Sequence, residues 1–162
     1  MKLEILAFGA HPDDVELSCG GTILKEISQG KKVGIVDLTR GELGTRGSAK
    51  IRDKEASKAA KILGVAVREN LNFADGFFIN DKKHQLEIIK TLRKYQPEIV
   101  LCNAIDDRHI DHSKGSKLVS DACFLSGLLK IKTELEGKQQ TKWRPKQAVS
   151  YTHLTLPTIY SV

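Results

Sequence analysis

The stretch "AFGAHPDDVELSCGG", residues 7–21, joins the end of an apolar run to a histidine, a proline and two adjacent aspartates. Adjacent carboxylates repel each other unless a cation or a proton lies between them, so this is a costly group to set at the end of a buried strand. Working outward, the run before it is LEILAFG (3–9), and KVGIVDLT (32–39), ENLNF (69–73) and EIVLCNA (98–104) follow. Three of these four are nearly continuous in Ile, Val and Leu, the pattern of strands buried on both faces of a parallel sheet. Segments of helical period lie between them. In AKIRDKEASKAAKILG, Ile51, Ala56, Ala59, Ala60, Ile62 and Leu63 fall near one face, and Gly64 supplies a stop. HQLEIIKTLRKYQP carries Leu86, Ile89 and Leu92 as its stripe, with Pro97 beyond its end. A further helix is expected from Ser113, a suitable N-cap, to about Leu129. The alternation predicts an α/β fold: a Rossmann-like, mostly parallel sheet with helices on both faces. Ligands of such sheets bind beyond the carboxyl ends of the strands, at a topological switch point. GKQQTKWRPKQ (137–147) reads as a polar linker or loop.

The chain has 162 residues, about one domain's worth, and its 40% hydrophobic and 28% charged residues are ordinary for a soluble protein. The opening MKLEILAFGAHPDD is not expected to be a signal peptide, because its apolar run is short and acids follow it. No stretch approaches the roughly 20 apolar residues of a membrane helix, so a cytoplasmic protein with no membrane partner is expected. Cys19, Cys102 and Cys123 are far apart and odd in number, which argues against a disulfide framework and a thiolate zinc site. Each is expected to be a small buried hydrophobe. The net charge of +6 favours an anionic partner, but the cations are mixed with acids along the chain. A basic stripe with interleaved aromatics is absent, so nucleic acid is not an expected partner.

A second polar cluster, DDRHIDH (106–112), follows the fourth apolar run as HPDD follows the first. In the expected fold both lie at the carboxyl end of the sheet, where His109 and His112 can meet His11. Two histidines and an aspartate suit a divalent metal, and for zinc they leave the fourth position open to water. Each cluster alone has a plainer reading. HPDD could be a turn in which Pro12 sets φ and Asp13 caps the next helix. RHIDH could be a polar loop ahead of Ser113. Their occurrence together at matching strand ends favours the metal. GELGTRG (41–47) follows the second strand on the same side and reads either as a substrate loop carrying Glu42 and Arg46 or as a surface turn. It has neither the GxGxxG nor the Walker spacing. His84, in the basic turn DKKHQ, is expected to be solvated.

AHPDDVEL with the following GGT, DLTRGELGTRG, the Arg52–Glu55 pair, the ADG of 74–76 and DRHIDH together resemble the LmbE-like (PIG-L) family of zinc-dependent N-acetylglucosamine deacetylases. The resemblance covers about residues 1 to 148. It is nearest to the members that remove acetate from N-acetylglucosaminyl-malate in bacillithiol biosynthesis, although relatives act on other N-acetylglucosamine conjugates, with inositol or chitin-type partners. Carried over by position, it implies one Zn2+ per chain on His11, Asp14 and His112, with another divalent metal as an alternative. It makes Asp13 the general base. His109 becomes the residue that stabilises the oxyanion or protonates the leaving amine, with Asp111 orienting it. Arg52, and beside it Asp75, Arg108 and Arg46, would contact an anionic amino-sugar conjugate. A different class of function, a non-catalytic Rossmann-like module that binds a nucleotide or metal, is disfavoured because it has no use for Asp13 and His109.

After WRPKQAV the chain continues SYTHLTLPTIYSV, which does not resemble the family's continuation. Residues 1–148 are therefore expected to form an LmbE-like domain incomplete at its C-terminus, with 149–162, His153 among them, a non-native tail. The full-length protein is expected to be a homo-oligomer, and the shortened chain to be poorly active.

Overall fold

The computed structural model describes residues 1–45 and 47–151; Arg46 and His153 lie outside the described residues. Strands and helices alternate as β1 (Ile5–Gly9), α1 (Asp14–Ser28), β2 (Val33–Thr39), α2 (Ala49–Leu63), β3 (Val67–Phe73), α3 (Lys82–Tyr95), β4 (Ile99–Cys102) and α4 (Ile110–Ser126). A short antiparallel ribbon of β5 (Glu134–Leu135) and β6 (Lys138–Gln139) follows, and then β7 (Gln147–Ser150). The main sheet has the order β3-β2-β1-β4-β7, and every pairing in it is parallel. The α/β expectation holds. The order reverses beside β1: the chain moves outward through β2 and β3, then crosses back to place β4 on β1's other edge. This is the switch point where a crevice opens between the loops that follow β1 and β4.

Alternate residues of β1 serve the two faces of the sheet. Leu6 and Phe8 join Val36, Leu38 and Val100 under Ile88, Ile89 and Leu92 of α3 and Leu118 and Val119 of α4. Ile5 and Ala7 join Ile35 under Val15 and Ile23 of α1 and Leu63 of α2. Each large side chain so buried contributes about 1.5–3 kcal/mol of transfer free energy, which makes these two layers the main support of the loops above them. The three cysteines are buried and free. No helix among the described residues is long and apolar enough to cross a membrane.

Two buried guanidinium groups add polar fixings. Arg68 of β3 holds both oxygens of Asp37 in β2 (2.8 and 2.9 Å) and also bonds Glu16 of α1, which ties three elements together. Arg93 of α3 works through neutral acceptors. It donates to the carbonyls of Ser126 (3.1 Å), Leu128 (3.0 Å) and Ile131 (2.8 Å) and to Thr133 Oγ1 (2.8 Å), and so fastens the end of α4 and the chain beyond it. Arg93→Met keeps the stem and removes the donors. Stranding these acceptors should cost about 3 kcal/mol or more. A urea midpoint lowered with an unchanged slope is the expected reading; an unchanged midpoint would show that water replaces the guanidinium freely.

Three expectations need correction. α4 begins at Ile110, ahead of Ser113, because the His109 imidazole serves as its cap and brings Asp111 and His112 into the first turn. In α2 the buried residues are Ala56 and Leu63, with Ala59 and Ala60 half-buried, while Ile51 and Ile62 are exposed; spaced seven apart, Ala56 and Leu63 share one side of the helix. His84 is not solvated: Asp81 accepts from its backbone amide and contacts its Nδ1, and its ring stands edge-on to Phe73 at 4.6 Å. β7 runs across residue 148, and its Val149 and Ser150 pair with Leu101 and Cys102 of β4. Tyr151, just beyond, is buried and its hydroxyl donates to the Phe8 carbonyl (2.7 Å).

Candidate metal centre

β1 ends in a turn that leaves little room for a side chain at its last residue. A Cβ on Gly9 would lie 3.1 Å from both Asp14 Cβ and the His11 carbonyl oxygen. The turn aims His11 and Asp14 into the crevice. Asp13 stands at the N-cap of α1, yet its side chain makes no capping hydrogen bond. It opens instead onto the cavity, with Arg52 Nη2 3.3 Å from its Oδ2.

Asp14 is the buried hub. Its Oδ2 accepts from the His11 backbone N–H (2.9 Å) and from Asn103 Nδ2 (3.0 Å), and lies 3.6 Å from His11 Nδ1. Its Oδ1 lies 3.2 Å from His112 Nε2. The other nitrogen of each ring rests on further carboxylates. His11 Nε2 is 3.0 Å from Asp75 Oδ1 and 3.4 Å from Asp111 Oδ2, and His112 Nδ1 is 3.0 Å from Asp107 Oδ2. His109, in the loop after β4, accepts the Asp111 backbone N–H on Nδ1 (3.3 Å). Its ring stacks on His112 at 4.8 Å and stands edge-on to His11 at 4.6 Å.

Nearly all the residues singled out from the sequence therefore meet. His11, Asp13, Asp14, Arg52, Asp75, Arg108, His109 and His112 line one cavity of about 720 Å³. Asp111 is fully buried, with its Oδ2 accepting from Gly76 N (2.7 Å) and its Oδ1 2.7 Å from Lys114 Nζ. It touches His109 through its main chain. Asp75 is also buried, with one oxygen on His11 and the other accepting from Leu43 N (2.9 Å). Three contributors went unnoticed in the sequence: Asn103, Asp107 and Lys114. Asn103 carried the one available signal, an amide at the end of an apolar run. Its Oδ1 accepts from Ala10 N (2.9 Å), which locks the ends of β1 and β4 together.

The electrostatics follow from burial and pairing. Burial alone would raise the Asp14 carboxyl, but hydrogen bonds from His11 and His112 hold it far below the usual range. Burial works against protonated His112, yet its bonds to Asp14 and Asp107 raise it to about 9. His109 is shifted the other way, first by burial and then by repulsion from the two neighbouring imidazoles. Asp13 is raised by burial, an effect that Arg52 opposes and Asp14 reinforces.

This donor set fits a divalent cation. In a tetrahedral zinc shell, ligands at about 2.0–2.1 Å from the ion lie roughly 3.3 Å from one another. His11 Nδ1 lies 3.6 Å from Asp14 Oδ2 and His112 Nε2 lies 3.2 Å from the other oxygen, Oδ1, both separations of that size. One donor atom from each of His11, His109 and His112 also falls within 4.8 Å of the others. A carboxylate behind each metal-facing imidazole is the usual outer support of a metal-ligating histidine. In the second group of donors, His11, Asp75 and Asp111, both carboxylates are already engaged, Asp111 by Lys114 and Gly76 N and Asp75 by Leu43 N.

A parallel α/β sheet with a histidine–carboxylate centre at its switch point defines a class of site, and comparison with known proteins supplies the family. The model of the PIG-L family, "GlcNAc-PI de-N-acetylase", matches residues 6–123, and the chain belongs to this family. It is 40% identical over 114 residues to the uncharacterised deacetylase YaiS of Escherichia coli K12, covering 67% of this chain and 61% of that one. Among solved structures it resembles the conserved protein TT1542 from Thermus thermophilus, with a TM-score of 0.83 and 39% identity over 93% of this chain and 66% of that one. It also resembles N,N'-diacetylchitobiose deacetylase from Pyrococcus horikoshii, with a TM-score of 0.81 and 28% identity over 92% of this chain and 60% of that one. The chain thus spans about three-fifths to two-thirds of the length of these relatives.

Proposed function

We propose that this chain carries the catalytic centre of an N-deacetylase that hydrolyses the acetamide of an N-acetylglucosamine conjugate, with zinc held by His11, Asp14 and His112. One observation carries the reading: Asp14 lies between two imidazoles whose outer nitrogens are each fixed by a carboxylate. A divalent cation bound there supplies Lewis-acid activation of water and of an amide carbonyl. The nitrogen and oxygen donors also admit iron or another divalent ion.

The remaining steps belong to side chains. Asp13, beside Asp14 and facing the cavity, takes the proton of the attacking water; its ion pair with Arg52 keeps the carboxylate ionised and fixes its direction. His109 accepts the Asp111 N–H on Nδ1, so in the neutral ring Nε2 carries the hydrogen. Nε2–H then donates a hydrogen bond to the developing oxyanion, and the proton that Asp13 took from the water passes to the leaving amine. Asp111 orients His109 through that amide.

Arg52 and Arg108 on the cavity wall, with Arg46 from the same glycine-rich loop as Gly41, favour a substrate with an anionic group. N-acetylglucosaminyl-malate, the bacillithiol precursor, meets this requirement. Resemblance to diacetylchitobiose deacetylase favours a neutral chitin-type substrate as the second reading. Acetate release from the malate conjugate, a neutral N-acetylglucosamine glycoside and diacetylchitobiose separates them. The expected result is a higher kcat/KM for the malate conjugate. Arg108→Ala should lower it by roughly tenfold or more, the worth of a charge-assisted hydrogen bond, and spare the neutral glycoside. Equal cleavage of all three would refute the anionic aglycone.

A further inference from the structure

We propose that Asp75 is a positioning residue that joins the metal centre to the glycine-rich wall of the cavity, rather than a contact to the sugar. The inference rests on the metal reading of His11. Asp75 sits in the turn between β3 and α3, outside both metal-motif loops, and only 7% of its surface is exposed. Both carboxylate oxygens and the backbone N–H have partners. Oδ1 faces His11 Nε2 at 3.0 Å, and Oδ2 accepts from the Leu43 N–H at 2.9 Å. Its backbone N–H donates to Glu42 Oε1 at 2.9 Å, while Glu42 Oε2 accepts from Arg40 N (3.3 Å).

The next residue extends the junction. Gly76 N donates to Asp111 Oδ2 (2.7 Å), and the Gly76 carbonyl accepts from Lys114 Nζ (2.9 Å). Gly76 has φ +73, and a Cβ there would also press on Leu43 Cδ1 at 3.2 Å. The two-residue turn therefore meets the Arg40–Leu43 loop, α4 and His11 at once.

This has a physical consequence. An acceptor at Nε2 places the ring hydrogen there and leaves the Nδ1 lone pair facing Asp14, the state a metal ligand needs. The same carboxylate fixes Leu43, which lines the cavity with Gly41 and Gly44. Filling the metal centre fixes the His11 ring, which steadies Asp75 and through it the loop. Metal binding and order in residues 40–45 are thus coupled, and by linkage the coupling is reciprocal.

The test uses the whole chain and zinc alone. Zinc affinity is measured by competition with a chromophoric chelator, and amide hydrogen exchange is followed in peptides covering 40–45, with and without zinc. In the unaltered protein zinc should slow exchange in that segment. Asp75→Asn keeps the shape but cannot accept both N–H groups as the carboxylate does. It should weaken zinc binding about 10- to 100-fold, as loss of an outer-shell partner does, and speed exchange in 40–45. Glu42→Ala should loosen the loop and, by the same linkage, weaken zinc binding less than Asp75→Asn does, because the Asp75 carboxylate stays on His11. Zinc binding to the unaltered chain without slowed exchange overturns the coupling, whether or not the Asp75 variant folds. An Asp75→Asn protein that keeps its zinc affinity and loop protection but has a raised KM makes Asp75 a sugar contact and overturns the proposal. Absence of zinc binding by the unaltered chain overturns the metal reading as well.

Discussion

Asp13→Asn should retain its metal and lose about 10²–10⁴ in turnover, the usual worth of a positioned general base. The substitution is nearly isosteric, and Asp13 makes no capping hydrogen bond whose loss would disturb α1. Its ion-pair partner is Arg52, 3.3 Å away and outside the donor set, so the fold and the donors His11, Asp14 and His112 stay in place. What disappears is the ability to accept a proton. Zinc content by elemental analysis, together with acetate release, decides the matter. Near-normal turnover with metal retained would move the base to another group, His109 being the next in reach.

His112→Ala should abolish most metal binding. The ring supplies one of the donors nearest Asp14 and occupies the first turn of α4 between Asp14 and Asp107. Its removal leaves two carboxylates facing an empty space, with His11 left as the imidazole against Asp14. An outer-shell change costs about 10- to 100-fold in affinity, and loss of a direct ligand should cost more. Stoichiometric zinc in the purified variant would contradict the ligand assignment.

The fold was legible where burial imposes a pattern. β1 and β2 are covered on both sides and β4 fully on one and partly on the other, so their residues are apolar almost without interruption, and the right-handed crossover rule then leaves few arrangements. β7 was not legible, because all four of its residues are exposed and its place depends on main-chain pairing with β4. The start of α4 was hidden for a related reason: His109 caps it with an imidazole, whereas cap signals are read from Ser, Thr, Asp and Asn. The site was legible because HPDD and DDRHIDH place charge at the ends of apolar strands, where chemistry is the simplest reason to tolerate it. Asn103, Asp107 and Lys114 were not, since their roles exist only once β1, β4 and the turn at Gly76 converge. Asp75 shows the same limit in another form. ADG marks a turn by its residues, but only the three-dimensional arrangement puts that turn between His11 and Leu43.

The most direct test is acetate release from N-acetylglucosamine conjugates by chelator-treated protein during titration with zinc. Activity should be absent at the start, rise with added zinc and saturate at one equivalent per chain. Acetate release that persists undiminished after the metal is stripped would contradict the assignment of His11, Asp14 and His112 as a catalytic metal centre.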